Sequence, residues 1–206
     1  MSTRRIVTVS AGMSTPSSTR MLADRLTEAT EKALSERGEQ VQTRVVELRD
    51  VAHDIMNAMT TRVPTGELRG VLEDLGEADG IIAVTPVFNA SYSGLFKSFF
   101  DIVEPDDLDG MPVLMGATGG SPRHSLVLEH ALRPMFSYTR STVVPTGVYA
   151  ASEDWGSGEN GGRELGQRID RAGRQLAMLA TERAPKGADP FEEPTPFADL
   201  MSGLGT

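Results

Sequence analysis

The strongest constraint on the fold of this sequence is its repeated switch between short apolar runs and longer stretches with apolar residues at every third or fourth position. The short runs are typical of buried strands, and the longer period is typical of amphipathic helices. Strands are predicted at residues 6–9, 41–48, 81–84, 112–117 and 143–150. Helices are predicted at residues 18–36, 68–75, 94–100, 125–138 and 162–182, and residues 49–64 are predicted to be a loop with a possible helical turn.

This alternation predicts an α/β fold in which helices cover both faces of a parallel sheet. Each pair of parallel strands needs a crossover connection, and such crossovers are right-handed. Five strands suit a flavodoxin-like sheet with the strand order 2-1-3-4-5. Ligands bind such sheets beyond the carboxyl ends of the strands, where the strand order reverses. We therefore expect a site at the loops that follow strands one, three and four.

Composition excludes several classes of protein. The chain has 206 residues, no cysteine and a formal net charge of −9. Without cysteine there is no disulfide framework, no thiolate metal site and no cysteine nucleophile. An acidic chain without a Lys/Arg cluster does not favour nucleic-acid binding. Because no run of 18 apolar residues and no secretory leader is present, we expect a cytoplasmic protein with no membrane segment.

The helical period disappears after residue 182, and this change sets the predicted domain boundary. We expect one domain over residues 1–182 and a tail over residues 183–206 that is rich in Pro, Gly and acidic residues. Phe191 and Phe197 would attach this tail to the domain.

The loop after the first strand is rich in hydroxyl side chains. Residues 10–20 read SAGMSTPSSTR and lead into the first predicted helix. Free backbone N–H groups, the positive end of a helix dipole and hydroxyl donors together suit a dianionic phosphate. The glycine-rich fingerprints of triphosphate and dinucleotide sites are missing, so a mononucleotide phosphate is favoured. The alternative is that Ser17, Ser18 or Thr19 only caps the helix.

The loops after the third and fourth strands combine short residues with glycine. In TPVFNASYSGLFKSFFD (residues 85–101), the backbone can approach a flat ligand, and Phe88 and Tyr92 either pack on an aromatic ring or seal the core. In ATGGSPRH (residues 117–124), Gly119 and Gly120 let several amides converge on one acceptor. Converging N–H dipoles would stabilise the negative charge of a reduced flavin near N1 and C2=O. The alternative for this loop is a plain Gly-rich turn.

Other reactive side chains offer no competing site. His53, His124 and His130 lack the spacing of a helix-borne metal site, so no metal is predicted. No G-x-S-x-G elbow is present to place a nucleophilic serine, so a hydrolase is not expected. Lys97 and Arg133 are interpreted as structural residues.

The three loops resemble those of the NADPH-dependent FMN reductase family, and in particular the flavin reductases that partner two-component flavin monooxygenases. The resemblance covers about residues 4–182. Its most specific parts are TPVFNASYSGLFKSFFD, where the family carries P-x-Y-N…G-x-L-K, and the segment ATGGSPRHSLVLEHALRP. It implies that the FMN phosphate is held by Ser10, Ser17, Ser18 and Thr19. It also implies that the isoalloxazine lies between Pro86, Val87, Phe88 and Asn89 on one side and Thr118, Gly119, Gly120 and Ser121 on the other.

The sequence departs from this family at two places. Many relatives have an Arg shortly after the first loop serine, where this chain has Gly12 and Met13, and Phe88 replaces the usual Tyr. Lower flavin affinity would suit an enzyme that releases its reduced product. Arg123 and His124 follow the Gly-rich loop and would contact the nicotinamide nucleotide, unless they are ordinary surface residues.

The resemblance implies an NAD(P)H-dependent FMN reductase that supplies reduced flavin to a monooxygenase and assembles as a homodimer or homotetramer. Hydride passes directly to the flavin, so no catalytic acid or base is predicted. One alternative is an FMN-containing quinone, azo or chromate reductase. The other is a flavodoxin-type electron carrier, although Trp155, the only tryptophan, lies beyond the fifth strand and does not offer the usual aromatic sandwich.

Overall fold

A computed structural model gives the structure of the chain and describes residues 3–155 and 161–183. Within these residues a sheet of seven strands runs in the order β2-β1-β3-β5-β6, with β4 beside β3 and β7 beside β5. The strands are β1 (Thr3–Ser10), β2 (Gln40–Glu47), β3 (Gly80–Phe88), β4 (Ser91–Tyr92), β5 (Pro112–Gly119), β6 (Thr142–Val143) and β7 (Val148–Ala151). The helices are α1 (Ser18–Glu36), α2 (Ala52–Thr61), α3 (Gly66–Gly76), α4 (Gly94–Phe100), α5 (Pro105–Leu108), α6 (Arg133–Tyr138) and α7 (Gly161–Glu182).

The pairing of the strands confirms the α/β, flavodoxin-like fold class. β1 pairs in parallel with β2 and β3, β3 with β5, and β5 with β6 and β7. The predicted number of five strands is wrong because the fifth strand is divided into β6 and β7. Pro145 lies in the gap between them and has no N–H group for a sheet ladder. β4 is a further short strand, antiparallel to the end of β3, that the apolar pattern does not reveal.

Two helical predictions differ from the structure. Residues 49–64 contain the helix α2 and are not a loop. Its buried side chains are Ile55 and Ala58, and Met56 between them is 51% exposed, so the apolar period is too short and too mixed to be recognised. The predicted helix at 125–138 is instead a 3-10 turn (Pro122–His124), a π-helical turn (Leu128–Leu132) and then α6. Pro134, at the start of α6, cannot donate the backbone hydrogen bond of a regular helix.

Helices cover both faces of the sheet, as predicted. Against one face pack α1 and α7, with a core that includes Ile6, Leu26 and Leu176. The other face carries a second core, built around Phe96 and Phe136. In the part of the chain that the structure describes, no helix has the length and apolar character needed to cross a membrane. Apart from Arg183, the predicted tail at 183–206, with Phe191 and Phe197, lies outside the described residues.

Candidate functional site

The loops after β1, β3 and β5 meet at the carboxyl edge of the sheet. Ser10, the last residue of β1, is opposite Val84 of β3, and Pro86 of β3 is opposite Thr118 of β5. The hydroxyl oxygens of Thr19 and Thr118 are 2.8 Å apart and buried, so the start of α1 is bonded to the end of β5. The structure therefore brings together the segments that the sequence places at one site.

The hydroxyl groups of the first loop have different roles. Ser17 is the N-cap of α1, and its Oγ accepts a hydrogen bond from the Arg20 N–H at 3.2 Å. Of the three residues proposed as helix caps, Ser17 is therefore the one that caps α1. Ser18 is exposed, whereas Ser10 is fully buried and its Oγ has no hydrogen-bond partner among the described residues.

Three features of the first loop are compatible with a bound phosphate group. A buried hydroxyl without a partner, as at Ser10, is unfavourable unless a ligand or a water completes its bonding. The first N–H groups of α1 have no partner inside the helix, and the helix dipole favours an anion there. A Cβ at Gly12 would collide with the Ser17 hydroxyl, so glycine lets the loop lie this close to the helix start while Ser17 keeps its capping position.

The loop after β3 folds back as a hairpin with β4. Val87 pairs with Tyr92 and Phe88 with Ser91. Asn89 (φ 49°) and Ala90 (φ 65°) form the two-residue turn, in the left-handed conformation that tight hairpins require. The hairpin thus presents its first strand and turn at the edge of the sheet.

The two aromatic residues of this hairpin face different surroundings. Phe88 is 49% exposed, and Pro86 and Val87 before it are half-buried. The Tyr92 ring lies 6.0 Å from the Phe96 ring, centroid to centroid, and packs against the core. Phe88 is therefore the more accessible of the two, and Tyr92 is half-buried against the core.

The Gly-rich loop after β5 is fixed by a residue that the sequence reasoning missed. The Tyr149 hydroxyl donates a hydrogen bond to the Ser121 carbonyl at 2.7 Å. A Cβ at Gly119 would collide with that hydroxyl, whereas a Cβ at Gly120 would meet nothing within 4 Å. Burial, and to a smaller extent the charge of Asp154, raises the pKa of Tyr149. Gly119 therefore makes room for Tyr149, and Gly120 faces open space.

Arg123 and His124 lie on the turn Pro122–His124, directly after the Gly-rich loop. Both are exposed, and neither side chain has a hydrogen bond or ion pair within the described ranges. Lys97 pairs with Asp101, and Arg133 bonds Glu129, in agreement with their interpretation as structural residues. No group of three or more potential metal ligands occurs within residues 3–155 and 161–183.

A second group of residues that sequence reasoning missed lies behind the first loop. Arg49 bonds the Ser14 carbonyl and the Thr15 hydroxyl. Glu47 lies between Arg49 and Arg20, with Oε2 at 3.0 Å from the Arg49 Nε and Oε1 at 2.8 Å from the Arg20 Nη1. Charged residues such as Glu47 and Arg49 are common at the end of a strand, so the sequence gives no signal that they are special. Their contacts with the first loop follow only from the alignment of β2 with β1 in the sheet.

Comparison with known proteins gives a consistent result. The family model described as NADPH-dependent FMN reductase matches residues 4–156. An FMN reductase (NADPH) of Pseudomonas aeruginosa is 36% identical over 85% of this chain and 91% of its own length. The NADH-dependent FMN reductase SfnF of Pseudomonas fluorescens is 34% identical over 85% of this chain and 91% of its own length.

Among solved structures, an oxidoreductase from Corynebacterium diphtheriae is similar to this chain. It has a TM-score of 0.85 and 52% sequence identity, and the match covers 88% of this chain and 99% of that one. The family match covers the strands and loops that form the carboxyl edge of the sheet. The chain belongs to the NADPH-dependent FMN reductase family and is an NAD(P)H-dependent oxidoreductase that uses FMN.

Proposed function

We propose that this chain binds FMN across the loops after β1, β3 and β5 and carries out hydride transfer from NAD(P)H there. The observation that carries the assignment is the buried Thr19–Thr118 hydrogen bond, because it joins the phosphate-binding type of loop to the Gly-rich loop. When bound, the flavin supplies the redox chemistry through its N5 atom. The protein contributes binding, orientation and fixed dipoles, and no side-chain acid or base is needed.

The phosphate would be held by the start of α1. The Ser10 hydroxyl has no other partner, and Ser18 is exposed beside the free N–H groups of the helix. Ser17 accepts a hydrogen bond from Arg20 and keeps its own O–H to donate to the phosphate. Thr19 and Thr118 share one hydrogen bond, which leaves one of their two O–H groups free to donate.

The ring of the flavin would lie between the hairpin and the Gly-rich loop. The hairpin offers Pro86, Val87, Phe88 and Asn89, and the Gly-rich loop offers Thr118, Gly119, Gly120 and Ser121. The second set contains no aromatic side chain, so of these eight residues only Phe88, on the hairpin side, can stack on the ring. This asymmetry favours a flavin that is open to a nicotinamide and to exchange, and it does not favour a carrier that encloses its flavin between two aromatic residues.

The nicotinamide nucleotide would approach past the turn Pro122–His124, which follows the Gly-rich loop. Arg123 and His124 are the proposed contacts, because they are exposed beside this loop and their side chains have no partner within residues 3–155 and 161–183. The guanidinium of Arg123 suits a phosphate of the nucleotide. Since one relative is named for NADPH and another for NADH, we propose that this contact sets the preference between the two.

Reduced FMN would leave this open site for a flavin-dependent monooxygenase. We also propose that the protein acts in the cytoplasm, the compartment in which NADH and NADPH are regenerated.

A homodimer or homotetramer is proposed because the α6 residue Tyr138 is 90% exposed and lines a groove of about 600 Å³ with Phe100 and Met135. Size-exclusion chromatography with light scattering gives the molar mass of the protein in solution. A monomer at all concentrations would contradict this assembly.

The activity is tested by mixing the purified chain with NADPH or NADH, with and without added FMN. We expect oxidation of the nicotinamide that depends on free FMN and produces reduced FMN. Rapid turnover with a quinone, an azo dye or chromate, together with a flavin that stays bound, would instead support the alternative reductase. A tightly held flavin that reacts with neither nucleotide would support the electron carrier.

A further inference from the structure

Arg49 belongs to none of the three loops that form the proposed site, yet it contacts one of them. It follows β2, and its Nη1 donates to the Ser14 carbonyl at 3.2 Å and to the Thr15 hydroxyl at 2.5 Å. Residues 13–16 are all exposed. Among the described residues, the hydrogen bonds that reach 13–16 from outside the loop come from Arg49 alone.

The Arg49 guanidinium is itself held in place. Its Nε lies 3.0 Å from the Glu47 carboxylate, which also accepts a hydrogen bond from Arg20 in the first turn of α1. Glu47 is opposite Ser10 in the sheet, and its side chain is only 14% exposed. The bridge Arg20–Glu47–Arg49 therefore joins the start of α1 and the tip of the first loop to the end of β2.

The charges of this bridge favour a role in positioning the loop over a role in attracting an anion. Two arginines face three carboxylates, because Arg20 also bonds Asp24 at 2.7 Å and Arg49 lies 3.6 Å from Asp50. The cluster has no surplus of positive charge to offer a phosphate. The two hydrogen bonds that the Arg49 Nη1 donates to Ser14 and Thr15, however, fix where the backbone of the loop lies.

We propose that Arg49 is a positioning residue for the phosphate subsite. By holding Ser14 and Thr15, it keeps the loop closed over the start of α1, so that the N–H groups and hydroxyls there converge on one dianion. Arg49 reaches this loop from the segment that follows β2. The inference rests on the proposed function, since it assigns this loop to the FMN phosphate.

The test compares FMN with riboflavin, which differs only in lacking the phosphate. Dissociation constants of both are measured by flavin fluorescence for the wild type, Arg49→Gln, Arg49→Lys and a matched control, Arg44→Gln. Arg44 bonds the Gly70 carbonyl and pairs with Asp74 at a similar exposure, 35% against 31% for Arg49, but contacts α3 and not the loop.

In the wild type and in Arg44→Gln, FMN binds more tightly than riboflavin. Arg49→Gln is expected to weaken FMN binding about tenfold while riboflavin changes less than about twofold. Arg49→Lys is expected not to restore FMN binding, because a single ammonium cannot keep both the Nε ion pair with Glu47 and the two Nη1 hydrogen bonds to the loop. Added inorganic phosphate competes with FMN in the wild type and competes less in Arg49→Gln.

A full FMN-over-riboflavin preference in Arg49→Gln, or equal losses for both flavins, would overturn the inference while leaving the proposed function intact. A wild type that binds neither flavin would overturn the proposed function as well. If Arg49→Gln does not fold, Thr15→Val provides the test. Thr15 is exposed, and its replacement removes one hydrogen bond of Arg49. We expect FMN affinity to fall about threefold and riboflavin affinity to stay the same. An unchanged FMN affinity in Thr15→Val counts against the role of Arg49.

Discussion

Thr19 and Thr118, 99 residues apart in the sequence, share a buried hydrogen bond of 2.8 Å between their hydroxyl oxygens. Thr19 is 2% exposed and Thr118 is 3% exposed, so neither hydroxyl can turn to bulk water. One lies in the first turn of α1 and the other near the end of β5. The bond therefore sets the distance between the two loops that the proposed FMN site requires.

Replacing either threonine by valine keeps the side-chain shape and leaves the other hydroxyl buried without a partner. Each single change is expected to lower the free energy of unfolding by about 1–3 kcal/mol. The double variant Thr19→Val/Thr118→Val is expected to lose less than the sum of the single losses, because no unpaired hydroxyl remains. Urea denaturation of the four proteins measures the cycle, and strictly additive losses would show that the two hydroxyls do not interact.

Gly119 and Gly120 are adjacent but are expected to respond differently to substitution. Gly119→Ala places a methyl group against the Tyr149 hydroxyl and is expected to lower the free energy of unfolding by about 1–3 kcal/mol. In a Tyr149→Phe protein, which lacks that hydroxyl and its hydrogen bond to the Ser121 carbonyl, Gly119→Ala should cost much less, since the next atom, the Tyr149 Cζ, is 3.3 Å from the new Cβ. Thermal unfolding measures this effect, and a Gly119→Ala protein of wild-type stability would contradict it.

Gly120→Val is the matched variant of the same loop. Its side chain meets no atom of the protein within 4 Å at the Cβ position, so stability should change little. It would instead occupy the space proposed for the flavin and weaken FMN and riboflavin equally, by about tenfold or more. Unchanged flavin affinity in this variant would place the ring elsewhere.

The sequence predicts the sheet well where a strand is buried on both faces. β3 and β5 carry apolar runs because helices cover them on both sides, and their positions follow from that pattern, whereas their order is predicted from the flavodoxin-like arrangement. The division of the fifth strand is not visible in this way, since Val143 and Val148 have the same apolar character on either side of Pro145. The two-residue strand β4 depends on a hairpin turn whose residues, Asn89 and Ala90, are not a common turn pair.

The site is predictable as a set of loops but not as a set of contacts. Parallel strands place their following loops at one edge, so the hydroxyl-rich and Gly-rich segments can be assigned to a common site from the sequence. The contacts of Tyr149 and Arg49 depend on how distant segments align in three dimensions. A tyrosine in a strand and an arginine after one have many possible partners, and only the register selects Ser121 for the first and Ser14 for the second.

The phenol of Tyr149 makes stability depend on pH in alkaline solution. Burial, with the nearby charge of Asp154, raises the pKa of Tyr149 above its ordinary value of about 10. The folded protein therefore holds the phenol in its neutral form more strongly than the unfolded chain does. The resulting contribution to the free energy of unfolding is fully present below pH 10 and is lost as the pH rises through the folded-state pKa. The free energy of unfolding of the wild type should fall relative to Tyr149→Phe above pH 10. Equal pH dependence of the two proteins would show that the phenol is not perturbed by folding.

Ser10 gives a prediction in which stability and binding change in opposite directions. Its hydroxyl is buried without a partner among the described residues, so Ser10→Ala should leave the free energy of unfolding of the flavin-free protein unchanged or up to about 1 kcal/mol higher. In the proposed complex the same hydroxyl contacts the phosphate, so FMN binding should weaken about tenfold and riboflavin binding much less. Thr8→Val is the control two residues earlier on β1, where the buried hydroxyl already bonds Thr27 at 2.7 Å and its loss should cost stability without a preference between the flavins. Calorimetry of the flavin-free proteins and titration with both flavins measure the two effects, and a destabilised Ser10→Ala protein with wild-type FMN affinity would remove Ser10 from the phosphate site.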